Sequence, residues 1–393
     1  MKRVVAFLIV LVLALSSILV GLTAVEAATK PVPVKEFSKV STIAAYENVA
    51  IGASGISIIS NADKKIDISN FDFTGTQKWQ LALDSQADQI ATASAIDGAG
   101  NLWLAGQSAP APVAVTEVES STAINPDGVI IESVEGIRSD LNQLTLWKVS
   151  SSGELLSTFI ESITAPLIVT SISISSNGVS ILGDRGTGGV IVSATLAGKF
   201  AKATTIGSGK TVFTRIFRND DGSAQLFGSS NESLAGKSLA GLRDGILAKI
   251  GKTGKLTSVV RSSANKATRT WQDATSSNFL IGDVRTGNKS EVAITKFNSS
   301  FAPMWTIRLL AKGQTRAAIG PSGTHYGLIN STSSIAGVTG WRPTTATPIV
   351  LRFDSKGVIT QALKHSEIST VDAMVHIAGV GLVVVTPTGI FKG

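Results

Sequence analysis

From about residue 32 to the end, apolar positions fall in short runs rich in Val, Ile, Leu, Thr and Phe. Gly, Asn, Asp and Ser separate the runs at regular intervals, as in all-β folds. One strand-turn-strand phrase returns six times, and a seventh time truncated. Its clearest copies are Ala95–Gly106, Ala50–Asn61 and Ala318–Asn330. A period in the mid-forties built only of short strands and Gly turns predicts a β-propeller.

Each unit holds four strands, lettered a to d from the centre outward. The a–b hairpins are placed at Ser54-Gly55, Ala99-Gly100, Asn177-Gly178, Asp221-Gly222, Ser277-Asn278, Ser322-Gly323 and Ala378-Gly379. Asn-Gly and Asp-Gly signal tight hairpins because both residues tolerate positive φ. The c–d hairpins follow Ile68, Leu146, Ala194, Ala248, Ile294 and Leu351. The interval from Asp72 to Trp79 equals that from Asn298 to Trp305. The two Trp residues are therefore equivalent outer-strand positions, expected to pack between neighbouring blades.

Seven a–b hairpins stand against six complete c–d hairpins. After the seventh, the chain has only enough residues for a short strand c. The missing outer strand is sought in Val32–Val40. The expectation is an all-β, seven-bladed propeller whose last blade is closed by the N-terminal strand, which leaves no exposed sheet edge at the join.

The leader begins Met1-Lys2-Arg3, runs apolar from Val4 to Leu22, and ends in small residues up to Ala28. This has the form of a secretory signal peptide. Its apolar run of about 19 residues is also close to spanning length. Residues 1–27 are thus read as a signal peptide or an N-terminal anchor, with cleavage preferred, and residues 28–393 as one propeller domain. The protein is expected to be secreted or held at the cell envelope, meeting the membrane only if residues 4–22 are retained.

The chain has no cysteine, which excludes disulfides, thiolate metal sites and a cysteine nucleophile. The net charge of +7 falls to about +6 when Lys2, Arg3 and Glu26 leave with the leader. The lysines are scattered, and no basic-aromatic cluster points to nucleic acid.

The unit Ile96-Asp-Gly-Ala-Gly-Asn-Leu-Trp-Leu-Ala-Gly106, preceded by Phe71-Asp-Phe-Thr-Gly-Thr-Gln-Lys-Trp79, resembles the β-propeller repeat of bacterial secreted proteins. That repeat typically reads D-x-x-G-N-x-Y-x-x-G after D-x-x-G-x-x-x-W. The likeness is specific in this unit and loose in the others. It implies fold and export, since members mostly have no assigned chemistry. Thr74–Trp79 is also similar to the docking motif of quinoprotein propellers, which have eight blades and central acidic metal ligands. No such ligand set can be placed in this sequence.

Three b–c loops are long: Ser108–Asn142, Ser229–Asp244 and Ser331–Thr347. Long loops on one side of a rigid scaffold are where function concentrates. The first reads as an inserted β-hairpin at about 110–143, turning at Asn125-Pro-Asp-Gly128. It carries Glu117, Glu119, Asp127, Glu132, Glu135 and Asp140 against Arg138 alone, a local charge of about −5. Strand alternation puts Glu117 and Glu119 on one face. The third loop holds Trp341 beside Arg342, a pair suited to stacking on a sugar or aromatic ring if exposed. Asp184 with Arg185, and Asp283 with Arg285, end two strands b and are candidates for a polar rim.

His325, His365 and His376 lack metal-ligand spacing, and no H-E-x-x-H, G-x-S-x-G or Walker phrase occurs. No catalytic residue, metal ligand or cofactor is assigned. The expected function is a non-catalytic exported binding or scaffold protein, monomeric, with a protein or polysaccharide partner on the b–c loop face. The alternative is an extracellular hydrolase or lyase acting on a polymer, with acids at the channel mouth. An enzyme is the less favoured of the two.

Overall fold

The computed structural model describes residues 30–62, 64–110 and 140–393. Residues from Val32 on form one compact unit. The leader and the acidic insertion, with Glu117 and Glu119, lie outside the described residues apart from the insertion's edges. Among those described, every long element is a strand, and the one helical turn is Pro321–Gly323.

Five sheets are built from consecutive four-strand units, beginning at Asn48, Gln89, Ile168, Thr211 and Ala267. The strands starting at Arg316 begin a sixth sheet of six strands, and those starting at Ala373 a seventh of four. The first strand of each sheet touches the first strand of the next, and Ala373–Ile377 returns to Asn48–Gly52. This ring of mainly antiparallel sheets is a β-propeller.

Seven apolar clusters follow the ring, one between each pair of neighbouring sheets. The second strand of a sheet serves two of them at once. In Leu102–Ser108, Leu102 and Leu104 face the first sheet, while Trp103 and Ala105 face the third. Successive side chains of a strand point to opposite faces. Burial on both faces makes these strands read as unbroken apolar runs. Outer strands alternate instead, as Gln77–Asp84 does.

All seven a–b turns form where the sequence places them, and each contains a residue with positive φ: a glycine in six, joined by Ser322 in one of them, and Asn278 in the seventh. Most c–d turns are closed by a side chain, the one at Gly251 by backbone bonds alone. The Asp72 carboxylate accepts from the Thr74 and Thr76 amides at 2.8 and 2.9 Å. Asn298 and Asp354 repeat this with their own turns.

Trp79 and Trp305 are equivalent, as their spacing predicts. Trp79 donates its indole N–H to the Ser151 carbonyl at 2.9 Å, and Trp305 to that of Ser355 at 3.0 Å. Each ring lies flat on the turn glycine of the next sheet, Gly153 or Gly357. Phe159 covers Gly198 in the same way.

The N-terminal strand differs from the expected single strand over Val32–Val40. It breaks at Phe37, which is buried against the sixth and seventh sheets. Ser38–Ser41 pairs antiparallel with Gly389–Lys392 and supplies the outer strand of the last sheet. Val32–Glu36 instead runs parallel to Ile359–Lys364 at the edge of the sixth sheet, and Val32 and Pro33 also pair with Val338 and Thr339 of the third long loop. The chain thus clasps two sheets, with Phe37 as the pivot.

Gly153→Ala tests the clasp between outer hairpins. The glycine has φ +91° and an added Cβ would lie 2.7 Å from the Trp79 ring. The expected loss is about 1–3 kcal/mol in denaturant unfolding. Gly98→Ala, with open space around it, should leave the midpoint nearly unchanged.

Candidate functional site

Four innermost strands carry a register shift at the same place. The shift falls between Ala91 and Ala93, Val169 and Ser171, Phe213 and Arg215, and Trp271 and Asp273. An extra residue there bends the strand and re-aims the side chain that follows. The facing residue of strand b is glycine for a steric reason. A Cβ at Gly106, Gly228 or Gly282 would meet a bulge carbonyl oxygen at 1.9, 2.0 and 1.9 Å. Bulged residues also tie the ring together. Thr92 donates to the Val169 carbonyl at 2.7 Å, and Thr214 to that of Trp271 at 3.2 Å.

The residues after two of these bulges meet in the central funnel. Arg215 donates through Nε to Asp273 Oδ1 at 2.6 Å. Asp273 Oδ2 accepts from the Ala317 amide at 2.9 Å. Its side chain is 3% exposed against 37% for Arg215, so the carboxylate is sealed while the guanidinium reaches the funnel. The Asp273 charge holds the Arg215 guanidinium above its usual range, against the effect of burial.

Two more groups meet at Asp372 beside this pair. Arg316 is half-buried and donates to the Asp372 and Thr315 carbonyls, both at 3.3 Å. Burial pushes its guanidinium down, with Asp273 opposing that shift and Arg215 adding to it. The Tyr46 hydroxyl donates to Asp372 Oδ2 at 2.6 Å. Burial, then the bond to Asp372, pushes the Tyr46 phenol up. Arg215, Asp273, Arg316 and Asp372 line one cavity of 420 Å³, whose wall also presents Thr92, Ser94 and Thr170. A second cavity of 410 Å³ continues along the funnel past Ser276, Ile319 and His376.

The sequence-derived candidates lie elsewhere. Trp341 is 5% exposed, packed with Ile335, Val338 and Ala362 beneath its loop. Its ring faces are therefore closed to a stacked sugar, because the loop folds onto the sixth sheet. Arg342 is exposed and lines, with Lys364 and Glu36, a separate 490 Å³ cleft. Asp184 caps its own turn, accepting from the Gly186 amide at 2.6 Å. Arg285 donates to the Gly287 carbonyl at 3.3 Å. Neither Asp184–Arg185 nor Asp283–Arg285 is an ion pair among the described residues. Asp283 turns inward to the Gln272 amide, and burial pushes its carboxyl up. The second long loop is held down by a buried ion pair, Arg261 to Asp244 at 3.1 Å.

The funnel residues were missed by the sequence reading. Their signal was the glycine in strand b, which marks a bulge opposite and hence a side chain aimed inward.

His376 lines the funnel, stacked near Tyr326, and His365 lies against Phe391. His325 is buried, stacked on Phe279 at 4.8 Å and bonded to Ser277 at 2.8 Å. Burial, helped by the Lys296 charge, lowers it to about 4. Among the described residues no cluster of three His, Asp or Glu side chains is arranged to hold a metal ion.

Neither a family model nor a curated protein matches this chain. Solved structures do. A streptogramin B lyase superposes with TM-score 0.51 at 12% identity, covering 91% of this chain and 96% of the lyase. A virginiamycin B lyase from Staphylococcus aureus gives 0.51 at 9% identity, covering 91% and 97%. The Dos1 propeller gives 0.46 at 12% identity, covering 92% and 94%. The shared feature is the propeller fold.

His325 gives a pH test. The unfolded imidazole titrates near 6.5 and the folded one near 4, so the unfolded chain binds more protons between these values. The stability contributed by neutral His325 is complete above pH 6.5 and is lost as pH falls toward 4. His325→Phe removes this dependence, so the wild-type minus variant difference in unfolding free energy should fall by up to about 3 kcal/mol as pH drops from 6.5 to 4; a constant difference over that window would contradict it.

Proposed function

We propose that this chain is an exported, non-catalytic binding or scaffold protein whose seven sheets are all blades of one propeller. Its ligand enters the central funnel from the side of the long b–c loops. The observation that carries the reading is the state of the funnel carboxylates. Asp273 is sealed by Arg215 and the Ala317 amide, and Asp372 is capped by Tyr46. Both are committed to fixed neighbours as positioning groups, whereas a hydrolase needs a carboxyl at liberty to give or take a proton. The form of the leader supports secretion or residence at the cell envelope. The acidic insertion, on the same loop side, is the proposed contact for a protein or polysaccharide partner, with the propeller as a monomer.

A second reading has one observation in its favour. Two propellers of similar fold are lyases, and Arg316 and Tyr46 converge on Asp372 beside the funnel here. A lyase acting on an extracellular polymer would need a base there. The Tyr46 phenol is pushed up by burial and by Asp372, which makes it a poor base near neutral pH. The binding reading is therefore preferred.

Affinity capture from the native envelope fraction tests the proposal. Full-length protein should retain a specific partner, and a variant lacking residues 112–138 should lose it while unfolding at the same temperature. Equal capture by both variants would remove the insertion from the binding face.

A further inference from the structure

The funnel holds two cations whose charges are incompletely answered. Arg215 spends only Nε on Asp273, and its terminal nitrogens have no hydrogen-bond partner among the described residues. Arg316 meets two carbonyl oxygens at 3.3 Å, and no carboxylate of the described residues lies within ion-pair distance of it. Both guanidiniums border the same 420 Å³ cavity. Asp273 offsets part of both charges and Asp372 part of that on Arg316, but the terminal donors of Arg215 and the weakly bonded Arg316 fork remain available to a planar anion.

Resting on the binding reading above, we propose that the funnel binds a small organic carboxylate, its anionic group held between Arg316 and the free edge of Arg215. Guanidinium forks match the planar carboxylate geometry. The remainder of the ligand lies against Thr92, Ser94 and Thr170, whose hydroxyls already donate to Val169, Asn48 and Leu182 and are left as acceptors, so a body bearing O–H donors suits the wall. The volume fits a molecule the size of a single sugar acid or a short dicarboxylate. The same wall disfavours compact, highly charged anions. Asp273, Asp372 and Glu47 also border the cavity, and a phosphate dianion would meet their repulsion in addition to the two arginines.

Titration calorimetry on the full chain tests this with D-glucuronate and succinate. D-glucose and succinamide serve as neutral counterparts, and inorganic phosphate as the competing anion. At least one carboxylate should bind, its neutral counterpart should not, and phosphate should bind more weakly than the carboxylate. Arg316→Gln removes the cation but leaves the Arg215–Asp273 pair in place, and should weaken carboxylate binding by about tenfold or more. The acid-versus-neutral comparison uses wild-type protein and stands even if the variant folds poorly. Absence of carboxylate binding up to about 10 mM overturns the proposal. So do equal binding of acid and neutral forms, tighter binding of phosphate, or unchanged affinity in a folded Arg316→Gln. Partner capture by the loop face without carboxylate binding sinks this inference and spares the binding-protein reading. Chemical turnover of a bound carboxylate sinks that reading and spares the site.

Discussion

The antiparallel pairing of Ser38–Ser41 with Gly389–Lys392 joins the two ends of the folded chain and closes the ring. No disulfide assists it, since the chain has no cysteine. Behind the ladder, Ile56 and Ile58 of the first sheet meet Val383, Val385 and Ile390 of the last. Every sheet is apolar on both faces, so each depends on both neighbours. Opening the ring at this join would expose two apolar faces together with two sheet edges. The geometry of the funnel follows from closure, because Asn48–Gly52 and Ala373–Ile377 become neighbours only then.

Local chemistry was legible in the sequence. Asn177-Gly178 and Asp221-Gly222 announce hairpins because turn geometry depends on a few adjacent residues. The matched intervals ending at Trp79 and Trp305 announce equivalent positions because the repeat preserves spacing. The break at Phe37 was harder to see. Val32 and Val34 alternate as a strand should, and the next buried residue comes three positions later at Phe37. That step violates the period of two and marks the change of partner. Trp341 shows the converse error. It lies outside the strand pattern, yet the loop carrying it folds back on its sheet, so irregular backbone and burial coexist.

The funnel was the least legible part. Arg215 and Asp273 are 58 positions apart, and nothing within either unit indicates the other. The glycines at 228 and 282 do report that an inward-turning bulge faces each of them. What they cannot report is which charged groups then meet, because that depends on the order and closure of the ring. Scaffold and site are therefore encoded differently: the first in repeated local signals, the second in departures from the repeat.

The division of the leading segment between two sheets has a mechanical consequence. Tension arriving through the residues before Val32 would first load the pairing of Val32 and Pro33 with Val338 and Thr339, then the short parallel ladder between Val34–Glu36 and Ala362–Lys364. Phe37 and its buried seat come next in the line of force, ahead of the antiparallel join at Ser38–Ser41. A tethered molecule would thus carry a sacrificial clip outside its seam, able to yield under load while the toroid stays shut.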